Sequence, residues 1–319
     1  MSETRSNIIA DCAAHLGLTL SEVLSIARTA PRRYYVWTIE KRSGGERVVC
    51  HPARELKFIQ EYLLQNVLHV LPVHAAATAY VKGGSIKKNA LSHRFSRVIL
   101  KLDFADFFNS LKTDNWKKYA ARHFQNWSKD EHDFSARILF WGGGRSYKPK
   151  CLAIGAPTSP LLSNALMYDF DEKLSEYAEK NELVYTRYAD DITLSSHDFL
   201  DRTSAISAVR MALLTARYSK IHLNEKKTVL VSKKYARRIT GLIITPDQKI
   251  SLGRDRKRTI SSMVDKCRKS KFDAVDRKRL SGLLSFAQDV EPIFVEMLRK
   301  KYGAEIIDKL LRGEAELQL

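Results

Sequence analysis

The chain has 319 residues, 44% of them hydrophobic, and its 54 Lys and Arg outweigh 36 Asp and Glu to give a formal charge of +18. That length buries a sizeable core and fits one large catalytic domain or two to three subdomains, while the charge selects a polyanionic partner, nucleic acid ahead of an anionic membrane surface. No apolar run reaches the roughly 18 residues of a membrane span, no signal-peptide core follows Arg5, and Cys12, Cys50, Cys151 and Cys267 are scattered without CxxC or zinc-finger spacing. Membrane insertion, secretion, a disulfide frame and structural zinc are therefore not expected, and the cytosol is.

Ile8, Ile9, Cys12 and Leu16, then Leu20, Val23, Leu24 and Ala27, recur at helical spacing around a break at Gly17, with Thr19 or Ser21 to cap the second helix before Glu22. The second helix carries few basic side chains, so the pair reads as packing on the body rather than as a helix-turn-helix. Tyr34 to Glu40 is rich in strand formers, Lys41 to Arg47 forms a basic turn, and Val48-Val49-Cys50 returns. A helix from Pro52 through Leu71 buries Leu56, Ile59, Leu63, Leu64, Val67 and Leu68. Asn89 and His93, four apart, share a helix face and read as a polar latch. The apolar strand from Val98 ends at Asp103. Trp116 to Trp141 is helical, and Gly142 to Lys150, lacking GxxxxGK[ST], is a basic loop rather than a phosphate cradle. Gly155 permits close backbone approach and leads into a helix capped by Thr158 or Ser159.

Two strand-like runs, Val184 to Ala189 and Ile192 to Ser195, flank the corner Tyr188-Ala189-Asp190-Asp191. Adjacent carboxylates raise each other's pKa, and such a pair persists where a cation neutralises it; an Asp pair at a turn is otherwise simply solvated. Asp103, ending a second strand, adds a third hard oxygen ligand, and together the three suit two-metal phosphoryl transfer. Farther on, Lys226 to Arg279 holds eighteen Lys and Arg against five Asp and Glu. Within it, Ile260, Met263, Val264 and Cys267, then Leu280, Leu283, Leu284 and Phe286, keep helical period, so a small helical body with one basic side is expected to grip a nucleic-acid backbone. Glu291-Pro292 starts a last helix that Gly303 closes or kinks.

These blocks resemble reverse transcriptases. Leu102-Asp103-Phe104-Ala105-Asp106-Phe107-Phe108 is similar to motif A, Gly155 to Pro160 with Ser163-Asn164 to motif B, and Tyr188 to Asp191 to motif C. Asn89-Ala90-Leu91-Ser92-His93, after Gly84-Ser85-Ile86, resembles the NAxxH signature of retron reverse transcriptases, and Ile239-Thr240-Gly241 their VTG signature with Ile for Val. The resemblance runs from roughly Tyr34 to Gly253. It implies an α+β right-hand polymerase with fingers, a palm of antiparallel sheet plus helices, and a small α-helical thumb. The implied boundaries are 1–97 for N-terminal helices and fingers, 98–246 for the palm with fingers segment 112–150, and 247–319 for the thumb.

The resemblance also assigns roles. Asp103, Asp190 and Asp191 are the implied catalytic residues and, with Phe104, the site of two Mg²⁺ ions. Arg47 and, more weakly, Lys41 of the KxxG..R hairpin are implied to bind the triphosphate. Phe108 would close on the sugar and exclude a 2′-OH, Gly155 would admit the base pair, and Lys226 or Lys227 of motif D would face pyrophosphate. Asn89, His93, Thr240, Gly241, Arg254, Arg256, Lys257 and Arg258 are the implied RNA contacts. The family's Gln before the motif B glycine is Ile154 here, which removes that side-chain hydrogen bond. The implied activity is copying part of a cognate structured non-coding RNA, from a 2′-OH primer, into branched RNA-linked DNA, with dNTPs as substrates and a retron effector protein as partner in anti-phage defence. Alternatives are a group II intron-like or diversity-generating enzyme, or a non-catalytic RNA-binding scaffold.

Overall fold

The computed structural model describes residues 7–40, 44–269 and 273–313; Lys41 lies outside them. In chain order the elements are α1 (Ile8–Leu16), α2 (Leu20–Thr29), β1 (Tyr34–Glu40), β2 (Glu46–Pro52), α3 (Arg54–Asn66), α4 (Ile86–Ser92), β3 (Val98–Ala105), α5 (Phe107–Ser110), α6 (Thr113–His123), α7 (Lys129–Leu139), α8 (Ser159–Leu166) and α9 (Tyr168–Lys180). Then follow β4 (Val184–Tyr188), β5 (Asp191–Ser196), α10 (Arg202–Thr215), β6 (His222–Leu223), β7 (Val229–Ser232), β8 (Arg237–Ile239), β9 (Leu242–Ile244), β10 (Ile250–Ser251), α11 (Arg254–Arg268), α12 (Ala274–Val290), α13 (Pro292–Tyr302) and α14 (Ala304–Arg312). Two compact units share the chain: one takes residues up to Gly84, Leu100–Leu194 and Leu200–Val229, the other Ser85–Ile99, Ser195–Phe199 and Leu230 onward. No single helix among the described residues is long and apolar enough to cross a membrane.

In the first unit, α1 and α2 pack on α7 and α3. Gly17 takes φ 65, the left-handed value glycine adopts without Cβ strain, and Thr19 with Glu22 forms a capping box. The buried stripe of α2 is Val23, Ile26, Ala27 and then Ala30, so Leu24 and Leu20, expected inside, stand 39% and 51% exposed. β1 and β2 pair antiparallel with Tyr34 opposite Pro52 and Glu40 opposite Glu46, and Cys50 N–H donates to the Ile154 carbonyl at 2.7 Å. The helix after β2 ends at Asn66, five residues short of expectation, and a turn of 3₁₀ helix finishes the segment. The central sheet runs β4, β5, β3, β6, with Phe104 opposite Leu223. Phe104 stacks on Phe107 and meets Phe170 edge-on, both at 5.6 Å, packing the sheet on α9.

The second unit carries the sheet β10, β9, β8 and the helices α11 to α14. Its core runs from Ile239, Leu242 and Ile244 through Ile260, Val264 and Cys267 to Leu280, Leu284, Phe294 and Leu298, and the expected Met263, Leu283 and Phe286 pack against it partly buried. Gly303, at φ 100, separates α13 from α14 and so breaks the C-terminal segment into two helices rather than ending it. All four cysteines are free and buried; burial pushes the Cys12 thiol up to about 12 and Cys50 up to about 11, so both stay neutral.

Candidate active site

The carboxylates come together because β3 lies beside β5 in the sheet. Phe104 N–H donates to the Asp190 carbonyl at 3.1 Å, which brings Asp103 alongside the β4–β5 corner. That corner is a two-residue hairpin, Ala189-Asp190, in which Ala189 has φ 58, an unusual value for a residue with a Cβ. Such a conformation persists only where its surroundings enforce it. Arg187, fully buried, supplies the enforcement: its guanidinium donates to the Ala189 carbonyl at 3.1 Å, to Asn164 Oδ1 at 3.2 Å, and through two nitrogens to Asp171, which is also buried. Tyr185 hydroxyl donates to Asp171 Oδ1 at 2.6 Å, and Asn164 Nδ2 to the Ala79 carbonyl at 2.8 Å.

Asp103 is 6% exposed, and Lys227 Nζ reaches its Oδ1 at 2.8 Å; Asn224 N–H donates to its carbonyl at 2.7 Å. Burial first and Asp103 second raise the Asp190 pKa, with Lys227 and Arg47 opposing. Asp191, at the exposed start of β5, is pushed up to about 6 by partial loss of water around its carboxyl, then by Asp190 and Asp103. The hydrogen bond to Asp103 raises Lys227, which is therefore charged at neutral pH. Among the described residues no three acidic, His or Cys side chains are gathered on one point as an ion site. Asp103 instead directs its charge at the Lys227 ammonium. Three mutually coupled carboxylates with a lysine standing in for a cation are nevertheless a hard-donor set that suits a divalent ion.

The family model for reverse transcriptase (RNA-dependent DNA polymerase) matches residues 39–244, which contain this site. The chain is 37% identical over 290 residues to the retron Ec83 reverse transcriptase of Escherichia coli, covering 91% of this chain and 93% of that one. The chain belongs to the reverse transcriptase family. It is 33% identical to the retron Ec73 reverse transcriptase of Escherichia coli, over 85% of this chain and 87% of that one, which places it among the retron enzymes. Its fold is similar to telomerase from Candida albicans, with TM-score 0.51 and 15% identity over 89% of this chain and 56% of that one. Apo telomerase from Candida tropicalis gives 0.50 and 13%, over 89% of this chain and 64% of that one. The architecture is thus the α+β polymerase fold, and the family's activity is RNA-directed DNA polymerisation.

Other expected site residues of this reverse transcriptase fall in several surroundings. Arg47 stands exposed on β2, close enough for its charge to act on Asp190. Phe108 is half-buried, 5.5 Å from Phe107 and 6.4 Å from Tyr80. Gly155, at φ 112, would place a Cβ 3.1 Å from the Cys50 carbonyl, so its close approach is to β2. The helix it leads into has no side-chain cap: Thr158 is at the N-cap position, but its hydroxyl and that of Ser159 are buried without a hydrogen-bond partner. Both motif D lysines are exposed, and it is Lys227 that meets Asp103.

The retron signatures meet each other in the second unit. Asn89 and His93 are 1% and 0% exposed, so neither presents a surface to RNA in this conformation. His93 Nδ1 lies 2.6 Å from Ser195 Oγ, Ser96 Oγ is 2.7 Å from that same atom, and burial drops the His93 pKa to about 3, leaving a neutral ring. Thr240 and Gly241 form the two-residue β8–β9 turn with φ 45 and 81, and Thr240 Oγ1 donates to the Ile86 carbonyl at the start of α4. Arg254, Arg256, Lys257 and Arg258 cluster at the N-terminal end of α11, with Asp255 among them. Arg254, Lys257 and Arg258 line, with Ser261 and Lys301, a cavity of about 510 Å³; Lys257 pairs with Glu291, and Arg256 lies over Phe286 at 5.2 Å. Two features escaped the sequence reading. An arginine inside an apolar strand beside paired acids was a visible signal for the Arg187 network, whereas Tyr80 carried none.

Proposed function

We propose that this chain is the polymerase of a retron, copying part of a cognate structured RNA into RNA-linked single-stranded DNA. The observation that carries this reading is the Asp103, Asp190 and Asp191 cluster, electrostatically coupled and faced by Lys227, inside a chain whose retron relatives span nearly all of it. Asp103, Asp190 and Asp191, with Phe104 beside them, would hold Mg²⁺, which when bound would supply charge neutralisation at the triphosphate and lower the pKa of the attacking hydroxyl. Lys227, which meets Asp103 in the structure, would offer its ammonium to the departing pyrophosphate, and Arg47 would clamp phosphate oxygens bidentately. Phe108 closes on the sugar and excludes a 2′-OH. A helix N-terminus attracts anions, and the cations crowded on the first turn of α11 add to that field, so this end of the helix takes RNA phosphates. The thumb is formed by α11 to α14. Priming from a 2′-OH, a cytoplasmic setting, and an effector protein in anti-phage defence complete the reading as the motif resemblance implies.

The test is extension of a primed RNA template by purified protein with dNTPs and Mg²⁺, beside Asp190→Asn. Wild type is expected to extend and the variant to fall to background at unchanged melting temperature; a wild type inactive on every primed RNA would sink the reading in favour of a scaffold. Sequencing DNA linked to co-purified RNA then checks for the branched product.

A further inference from the structure

Tyr80 is a non-glycine residue at φ 60 whose aromatic side chain is 51% exposed. Strained backbone and an exposed ring are each unfavourable, and their coincidence calls for a cause beyond packing. The loop around Tyr80 is pinned on both sides. Thr78 donates from N–H and Oγ1 to the Arg187 carbonyl at 2.8 and 3.1 Å, the Ala79 carbonyl accepts from Asn164 Nδ2, and a Cβ at Gly84 would collide with the Thr78 carbonyl at 2.5 Å. Asn164 also binds Arg187, whose guanidinium holds the Ala189 carbonyl. One buried network therefore fixes two strained residues, Ala189 in the acidic corner and Tyr80 in the loop after Ala79.

What Tyr80 faces is set by its neighbours. Its ring is 6.4 Å from Phe108, tilted by 59°, and Asp190, Tyr188 and Arg47 all act on its hydroxyl. Phe108 is only half-buried, and the rings of Phe107 and Tyr80 stand beside it to hold one orientation. We propose that Tyr80 is a nucleotide-selecting residue: its ring backs Phe108 and holds it against the sugar of the incoming nucleotide, fixing the preference for deoxyribonucleoside triphosphates. This rests on the reading of Phe108 as the residue facing the sugar.

The experiment measures kcat/KM for dCTP and for CTP on a primed RNA template, with wild type, Tyr80→Phe, Tyr80→Gly, Phe108→Ala and the double variant. Glycine accepts φ 60 without strain, so Tyr80→Gly removes the ring without burdening the fold, and melting curves check that. The expected result is a dCTP/CTP preference lowered about ten-fold in Tyr80→Gly, the discrimination one shape contact supplies, and kept within about two-fold in Tyr80→Phe. The double variant is expected to lose little beyond Phe108→Ala, because the two rings act as one unit. A preference altered by Phe108→Ala and untouched by Tyr80→Gly overturns the proposal. A preference altered by Tyr80→Gly and untouched by Phe108→Ala removes Phe108 as the gate and overturns the backing role proposed for Tyr80. A preference altered by neither overturns both.

Discussion

Asp103, Asp190, Asp191 and Lys227 give the site a pH dependence whose sign can be worked out. Native Asp191 keeps its proton up to about pH 6, whereas an unfolded Asp releases it near about 3.9. Between those values the native state binds more protons, so its stability falls as pH rises and stays lower at neutral pH. Metal-free protein is therefore expected to melt at lower temperature at about pH 7.5 than at about pH 5 from this group, and Asp191→Asn to shrink that difference, read by calorimetry. Polymerase activity is expected to fall as pH drops through about 6, where protonation competes with the ion. Arg187 and Asp171 are a second residue-level test. Arg187→Ala strands a buried carboxylate, and a loss of roughly 3–5 kcal/mol in denaturant unfolding is expected. The acid pair was legible in the sequence because like charges side by side need a reason; Asp171 was not, since its partner lies across a helix–strand contact.

Turns show most directly how an element's sequence places chemistry. Thr240-Gly241 takes two positive φ values, the type I′ pattern that a two-residue hairpin demands, and Gly supplies the second without strain. Thr240 tolerates the first while its hydroxyl binds the start of α4, which joins two signature segments distant in the chain. Gly155 is the stricter case, because both its φ of 112 and the Cys50 carbonyl 3.1 Å from a built Cβ exclude a side chain. Gly155→Ala is expected to lower stability by about 1–3 kcal/mol and to depress extension, measured by melting and by primer extension. Helical periodicity located α1, α2, α11, α12 and α13 well, since each buries one stripe. It misplaced Leu20 and Leu24, because period alone does not say which apolar residues a neighbouring helix will cover.

Across the molecule, the two units are each assembled from discontinuous stretches, with Ser85–Ile99 and Ser195–Phe199 joining Leu230 onward. The basic surplus between Lys226 and Arg279 is carried largely by the second, and Arg254 with Arg258 marks its cavity. Arg254→Glu and Arg258→Glu are expected to weaken binding of duplex RNA and to flatten the dependence of log K on log salt by about one unit for each phosphate no longer neutralised, read by filter binding across a salt series. The sequence by itself determined the helices with one apolar stripe, the positive charge and the order of the motifs, since these depend on spacing along one chain; the strand expected to end at Asp103 runs on to Ala105, because pairing with β6 at Phe104 and Ala105 extends it. Only the tertiary structure decided that Lys227 rather than its neighbour meets Asp103, that His93 is sealed inside, and that Arg187 braces the Tyr80 loop and the Ala189 corner. The pairings made by Asn164, His93 and Lys227 join residues 85 to 124 positions apart, and which long-range contact forms depends on how sheets and helices pack, not on local period.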